Sequence, residues 1–238
     1  MKKIVDFNSK NEFDIFFSKS ICDFLGFGSE GSCYRGKDGK AYKCFDIDEE
    51  LESEYDVKKI ITDADINTEA FAFPDTIFTV RGTLAGYTSK LISPNLFSNE
   101  FLVKKNTISH INFNKLIKAY YEMIGDVDYL TSQGIKIYDL GFNLLYDSNR
   151  LYGIDTCSYE QNKSITCQEN RDTLSDAMKK AFLFFLLNND EKYKVCNNAF
   201  DLLLKDMEKI DVEYFLRDIE KKYKDNNKVY INKKSGNS

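Results

Sequence analysis

Apolar and polar positions change rhythm once along the chain. Over residues 20–92 the apolar residues come in short β-prone runs, "ICDFLGF", "SCYRG", "AYKCFD", "TIFTVRG" and "LAGYTSKLI", each with the length and make-up of a strand. Asp38-Gly39 and Arg81-Gly82 stand in this region as turn dipeptides, because glycine supplies the positive φ that a tight hairpin turn needs. One helix is expected among the strands, over 47–61. There Ile47, Leu51, Val57 and Ile61 lie in and beside "DEELESEYDVKK", acidic first and basic last, an order that suits the helix dipole.

After "SPNLF" the rhythm becomes helical. Phe113, Leu116, Ile117, Tyr120, Ile124, Val127 and Leu130 hold one face over more than four turns, and Gln133-Gly134 supplies a glycine stop. A hairpin comes next, with "LLY" and "LYGI" as strands and "DSNR" as the turn. Further helices are expected over 174–187, 199–207 and 212–223, the first apolar on nearly every side and so central to its packing. Residues 225–238, polar and without periodicity, are expected to form a flexible tail. Strands first and helices later predict an α+β chain of two unlike parts, not an alternating parallel sheet. The expected division is 18–92 for the strand-rich part and 93–224 for the helical part, joined near residues 89–94.

Composition narrows the function classes. The chain has 238 residues, 42% of them hydrophobic, enough to build a core. Its net charge of -5 gives no basic field to hold a nucleic-acid backbone. The six cysteines lack any C-x-x-C pair and there is one histidine, so a Cys/His metal set is not expected and reduced cytoplasmic thiols are the simple reading. No apolar run approaches the roughly 20 residues of a membrane span, and acidic and polar residues interrupt what would be the core of a signal peptide. A cytoplasmic protein with neither nucleic-acid nor membrane partners is expected.

Chemistry concentrates first in "FLGFGSEGSCYRGKDGKAYKCF". Gly26, Gly28 and Gly31 form G-x-G-x-x-G, a weak signal alone because glycine triplets occur in many turns. Beyond the third glycine the pattern is a hairpin about Asp38-Gly39, not the helix a dinucleotide-binding unit would open, and there is no Gly-Lys-Ser/Thr for a Walker loop. Strand alternation puts Ala41 and Lys43 on one face, with Cys33 across the hairpin. Lys43 reads either as a phosphate-binding ammonium under the glycines or as a snorkelling surface lysine.

These residues resemble the protein-kinase-like superfamily, in divergent form, whose glycine loop is followed by a strand lysine in an A-x-K setting. Gly26, Gly28, Gly31, Cys33, Ala41 and Lys43 match that pattern. The resemblance implies a bilobal fold, a strand-rich N-lobe with one helix and a helical C-lobe, that binds ATP and Mg2+ and moves the γ-phosphoryl group to a hydroxyl on a protein or small molecule. It also implies a helix carboxylate to hold Lys43. Glu50 and Glu54 are the candidates, and Glu54 is preferred because it lies on the side of Leu51 and Ile47.

Within "GIKIYDLGFNLLYDSNRLYGIDTCSYE" the resemblance extends to Asp139 as the base that orients the acceptor hydroxyl, and to Asn143 and Asp155 as magnesium ligands. A hairpin centred near Asn149 would bring Asn143 and Asp155 opposite one another. The departures are specific. Ile137-Tyr138-Asp139 replaces His-Arg-Asp, Asn143 comes four residues after Asp139 where the family has five, and Asp155-Thr156-Cys157 replaces Asp-Phe-Gly. No Ala-Pro-Glu is present downstream. These differences keep a second reading open, a pseudokinase that regulates a partner protein by its shape. His110 is given no catalytic role. Abundant lysine, asparagine and isoleucine suggest an AT-rich bacterial or phage coding sequence.

Overall fold

A computed structural model describes residues 2–46, 55–92, 111–141, 143–189 and 210–235. The N-terminal part is a six-stranded sheet of β1 (Lys3–Phe7), β2 (Ile21–Gly28), β3 (Gly31–Gly36), β4 (Ala41–Phe45), β5 (Pro74–Val80) and β6 (Thr83–Ser89). Their order across the sheet is β1-β5-β6-β4-β3-β2. β2 through β6 pair antiparallel, in the runs the sequence predicts, and β1 adds to β5 in parallel. Gly39, Arg81 and Gly82 carry φ of 82°, 52° and 84°, the left-handed values that tight hairpin turns require.

β1 and the helix after it, α1 (Lys10–Ser20), are additions that the sequence pattern did not announce. The Ser9 side chain accepts the Glu12 amide at 3.2 Å, satisfying one of the first turn's orphan donors, and the Glu12 carboxylate accepts the Asn8 amide at 3.0 Å, tying the entering chain to the helix. α1 lays Phe13 and Phe17 on one sheet face, against Phe7, Tyr42, Phe78, Val80 and Ala85. The other face gathers Phe45, Ile77, Leu84 and Tyr87 with Ile60 and Cys157. Strand alternation along β4 accounts for the division: Tyr42 and Cys44 pack toward α1, while Lys43 and Phe45 turn to the opposite face.

The helix expected over 47–61 is corrected in part. Residues 47–54 lie outside the described residues, and 55–61 form bends and turns. Two physical reasons are visible. The Lys2 ammonium takes the carbonyls of Lys58 and Ile60 at 3.0 and 2.5 Å, and the adjacent Ile60 and Ile61 are both buried, which suits an irregular segment lying across apolar surface.

Two compact units divide the chain, and two later segments group with the N-terminal one. The first holds Met1–Ser93, Tyr129–Tyr138 and Tyr152–Thr166. Gly153 joins the segment before β5 through Ala72 N–H to Gly153 O at 2.9 Å and Gly153 N–H to Ala70 O at 2.8 Å. The Tyr159 ring meets Phe71 and Phe73 edge to face at 6.0 and 5.9 Å. β7 (Ile135–Lys136) pairs antiparallel with β10 (Glu160–Gln161). Asp155, expected with the helical part, therefore belongs to the unit built on the sheet.

The second unit holds most of α2 (Phe113–Ser132), the strand β8 (Leu144–Tyr146), α3 (Cys167–Asn189) and α4 (Val212–Ser235). β8 pairs with β9 (Leu151–Gly153), the hairpin read from the sequence. The Phe182 ring lies 5.9 Å from Phe113 and 6.4 Å from Phe215, centroid to centroid. Lys179 is buried on α3 with its ammonium on the Ile210 carbonyl at 3.1 Å. Past the end of α2, Gly134 has φ of 70°, the expected glycine stop. α4 runs to Ser235, through most of the stretch expected to be a flexible tail. The helix expected over 199–207, residues 93 and 94 of the expected junction, and His110 lie outside the described residues. Among the described residues no helix is long and apolar enough to cross a membrane.

Candidate functional site

The glycine loop is the turn between β2 and β3, and its three glycines answer to different demands. Gly31 pairs with Phe45 across the sheet at φ of 154°. A Cβ there would stand 2.0 Å from the Cys44 carbonyl oxygen, so strand pairing alone requires this glycine. At Gly26 and Gly28 a Cβ would meet nothing within 4 Å. Neither packing nor a positive φ accounts for them, and they leave open room beside the backbone, which a bound polyphosphate could use.

Cys33 and Lys43 are direct partners in the β3–β4 ladder, as the sequence predicts, and Lys43 faces Tyr87 on its other side. Ala41, two residues before, stands opposite Arg35 and Ser89. Lys43 is not a snorkelling surface residue: it is 6% exposed. Its ammonium contacts Asp155 Oδ2 at 2.5 Å and Glu30 Oε2 at 3.3 Å, and lies 5.0 Å from the centroid of the Phe45 ring. The second Asp155 oxygen, Oδ1, accepts the Tyr87 hydroxyl at 3.0 Å.

Burial sets the electrostatics of this cluster. Desolvation alone would lower the Lys43 pKa, but the Asp155 charge and hydrogen bond, with Glu30, outweigh it and hold the pKa above its ordinary value. Burial pushes the Cys33 thiol up, so the residue beside Lys43 is a neutral thiol and not a ready nucleophile. Burial, then the Asp155 charge, raise the Tyr87 phenol as well.

Asp155 reaches Lys43 because of its backbone. At φ 57° and ψ 52° it adopts the left-handed conformation that Asp tolerates better than most residues. A single 3-10 turn, Thr156–Ser158, comes directly after it. Thr156 and Cys157, the two residues after Asp155, are buried. The Thr156 hydroxyl donates to the Ala72 carbonyl at 3.4 Å.

Glu54 and Glu50 lie outside the described residues. Sequence reasoning missed Glu30. Its backbone carbonyl accepts the Asp46 amide at 3.0 Å, and its carboxylate takes Lys43 on one oxygen and the Tyr55 hydroxyl, at 2.6 Å, on the other. A signal existed: in the β3–β4 register Gly31 sits opposite Phe45, so the residue just before Gly31 lies close to the end of β4.

Asp139 and Asn143 belong to the second unit. Asp139 is exposed and has φ of 45°. The Asn143 side-chain amide donates to the Asp139 carbonyl at 2.8 Å and its backbone amide to Leu140 O at 3.1 Å. The spacing of four thus closes one tight turn. With Nδ2 turned to the backbone, Oδ1 is the side-chain atom left to accept. Tyr138 donates its hydroxyl to Glu160 at 3.1 Å, and the Lys136 ammonium lies 4.7 Å from its ring centroid. Among the described residues no group of three or more His, Cys, Asp or Glu side chains could hold a metal ion alone.

No protein-family profile matches the chain, and no curated protein matches it. Among solved structures it is similar to the crystal structure of the BubR1 kinase domain, with a TM-score of 0.39 and 19% identity over 61% of this chain. The match spans 48% of that domain, about half its length. A likeness at that level does not establish a shared fold.

Proposed function

We propose that the chain is a divergent protein-kinase-like phosphotransferase of bilobal fold that moves the γ-phosphoryl group of ATP, with magnesium, to a hydroxyl on a protein or small molecule in the cytoplasm. One observation carries the reading: the Lys43 ammonium, buried on a central strand under a glycine loop, meets the Asp155 carboxylate at 2.5 Å across 112 residues of sequence. A strand lysine and a distant acid held together beside unfilled glycines suit the recognition of a polyphosphate.

The residues present fit such a ligand. Gly26 and Gly28 leave the loop backbone bare, so its N–H groups can approach phosphate oxygens. Lys43 neutralises phosphate charge from a site that excludes most water, where the interaction is stronger than in solvent. Asp155 would offer magnesium a carboxylate oxygen and Asn143 an amide oxygen, each a donor of the kind that ion accepts when phosphates and water complete its shell. Bound Mg·ATP supplies the transferable phosphoryl group and the charge these residues would meet. Asp139 orients the acceptor hydroxyl and accepts its proton.

A pseudokinase is the second reading, and specific contacts favour it. Lys43 is already shared by two carboxylates, Tyr138 is tied to Glu160 in place of the family's arginine, and Thr156 and Cys157 are buried in a fixed turn. Transfer or release of labelled phosphate from Mg·ATP by the purified protein separates the two. Turnover that Asp139→Asn abolishes supports the enzyme. Nucleotide binding without turnover supports the pseudokinase.

A further inference from the structure

We infer that Glu30, anchored by Tyr55, is the residue that positions Lys43, so that the carboxylate steadying this lysine comes from the glycine loop itself. The inference rests on the phosphotransferase reading for its purpose, but its geometry stands alone. Four side chains form a closed cycle. The Lys43 ammonium lies over the Phe45 ring at 5.0 Å, the Phe45 and Tyr55 rings are 5.5 Å apart, the Tyr55 hydroxyl donates to Glu30 Oε1 at 2.6 Å, and Glu30 Oε2 returns to Lys43 at 3.3 Å.

Each link removes a freedom. Glu30 cannot swing away without releasing Tyr55, and its backbone is pinned by the Asp46 amide. Glu30 is also the more exposed of the two carboxylates on Lys43, at 42% of its side chain against 27% for Asp155. A surface ion pair of long side chains is weak when both partners are free. Here Lys43 is buried and Glu30 is held at its other oxygen, so the entropy of bringing the pair together is already spent within the fold.

The consequence is a coupling between loop and lysine. In this arrangement the element that would cover the phosphates and the ammonium that would neutralise them move as one body. Glu30 is a positioning residue: it acts through Lys43.

Acylation of Lys43 by an amine-reactive ester, followed by peptide mass spectrometry, tests this on the full chain without requiring activity. Glu30→Gln and Tyr55→Phe are expected to raise the Lys43 acylation rate severalfold, and the double variant no further than the Glu30 change alone, because both break one chain of contacts. The proposal is overturned if Glu30→Gln leaves the rate unchanged, or if only Asp155→Asn raises it. It is equally overturned if Tyr55→Phe is silent while Glu30→Gln is not. Both substitutions preserve side-chain size, and unfolding curves verify that each variant folds. A parallel arm with Mg·ATP keeps the two ideas apart: failure of nucleotide to protect Lys43 in the unaltered protein counts against the phosphotransferase reading and leaves the Glu30 result standing.

Discussion

Tyr87 and Asp155 are joined through the buried phenol and Oδ1 of the carboxylate at 3.0 Å, which leaves Oδ2 to Lys43. The acid is therefore held from two strands of the sheet at once, β6 and β4. Tyr87→Phe keeps the ring and removes only the donor. Chemical denaturation is expected to show a loss of about 1–2 kcal/mol, the cost of leaving a partly buried carboxylate short of one hydrogen bond. A variant as stable as the original would show that Asp155 does not depend on this bond.

The glycines of the loop differ in what the fold demands of them. Gly31→Ala forces a Cβ to 2.0 Å from the Cys44 carbonyl oxygen, and the strands must part to admit it. Destabilisation on the order of 2 kcal/mol or more is expected in urea unfolding. Gly28→Ala meets nothing within 4 Å and is expected to change stability little, while weakening nucleotide binding through crowding of the loop backbone. Equal effects of the two substitutions on stability would contradict this division.

Lys43 gives the stability a slope in alkali. Its folded pKa is raised above the ordinary 10.5, so its contribution is fully present below about that pH and is lost as pH rises through the higher folded value. Tyr87 and Tyr42, the latter pushed up to about 12, act in the same direction. The contribution of Lys43 is read as a difference: stability measured between neutral pH and strong alkali should decline less steeply in Lys43→Met than in the unaltered protein. Parallel curves would assign the alkaline loss to the tyrosines and the half-buried thiols of Cys33 and Cys44 instead.

Much of the sheet was legible in the sequence because the pairs β2–β3, β3–β4 and β5–β6 join strands consecutive in the chain and the turns hold Gly39 and Gly82 at positive φ. The facing of Cys33 and Lys43 comes from alternation and one turn. β1 was not legible, since "KIVDF" gains strand character only by parallel pairing with a segment about seventy residues later. Residues 55–61 carry a helix-like charge order, yet Lys2 and the burial of Ile60 and Ile61 hold them in turns, a tertiary override of local pattern. Lys43 and Asp155 were each expected at a site, and they meet. Glu30 was overlooked because an acid between two turn glycines reads as solvated loop until the register carries it to the end of β4.

The most direct test of the account is calorimetric titration with a nonhydrolysable ATP analogue and magnesium, in the unaltered protein and in Lys43→Met and Asp155→Ala. Magnesium-dependent binding that is lost in both variants, with each still folded, is the predicted result. The absence of binding in the unaltered protein, or binding that persists without either residue, would contradict the claim that Lys43 and Asp155 together serve a polyphosphate.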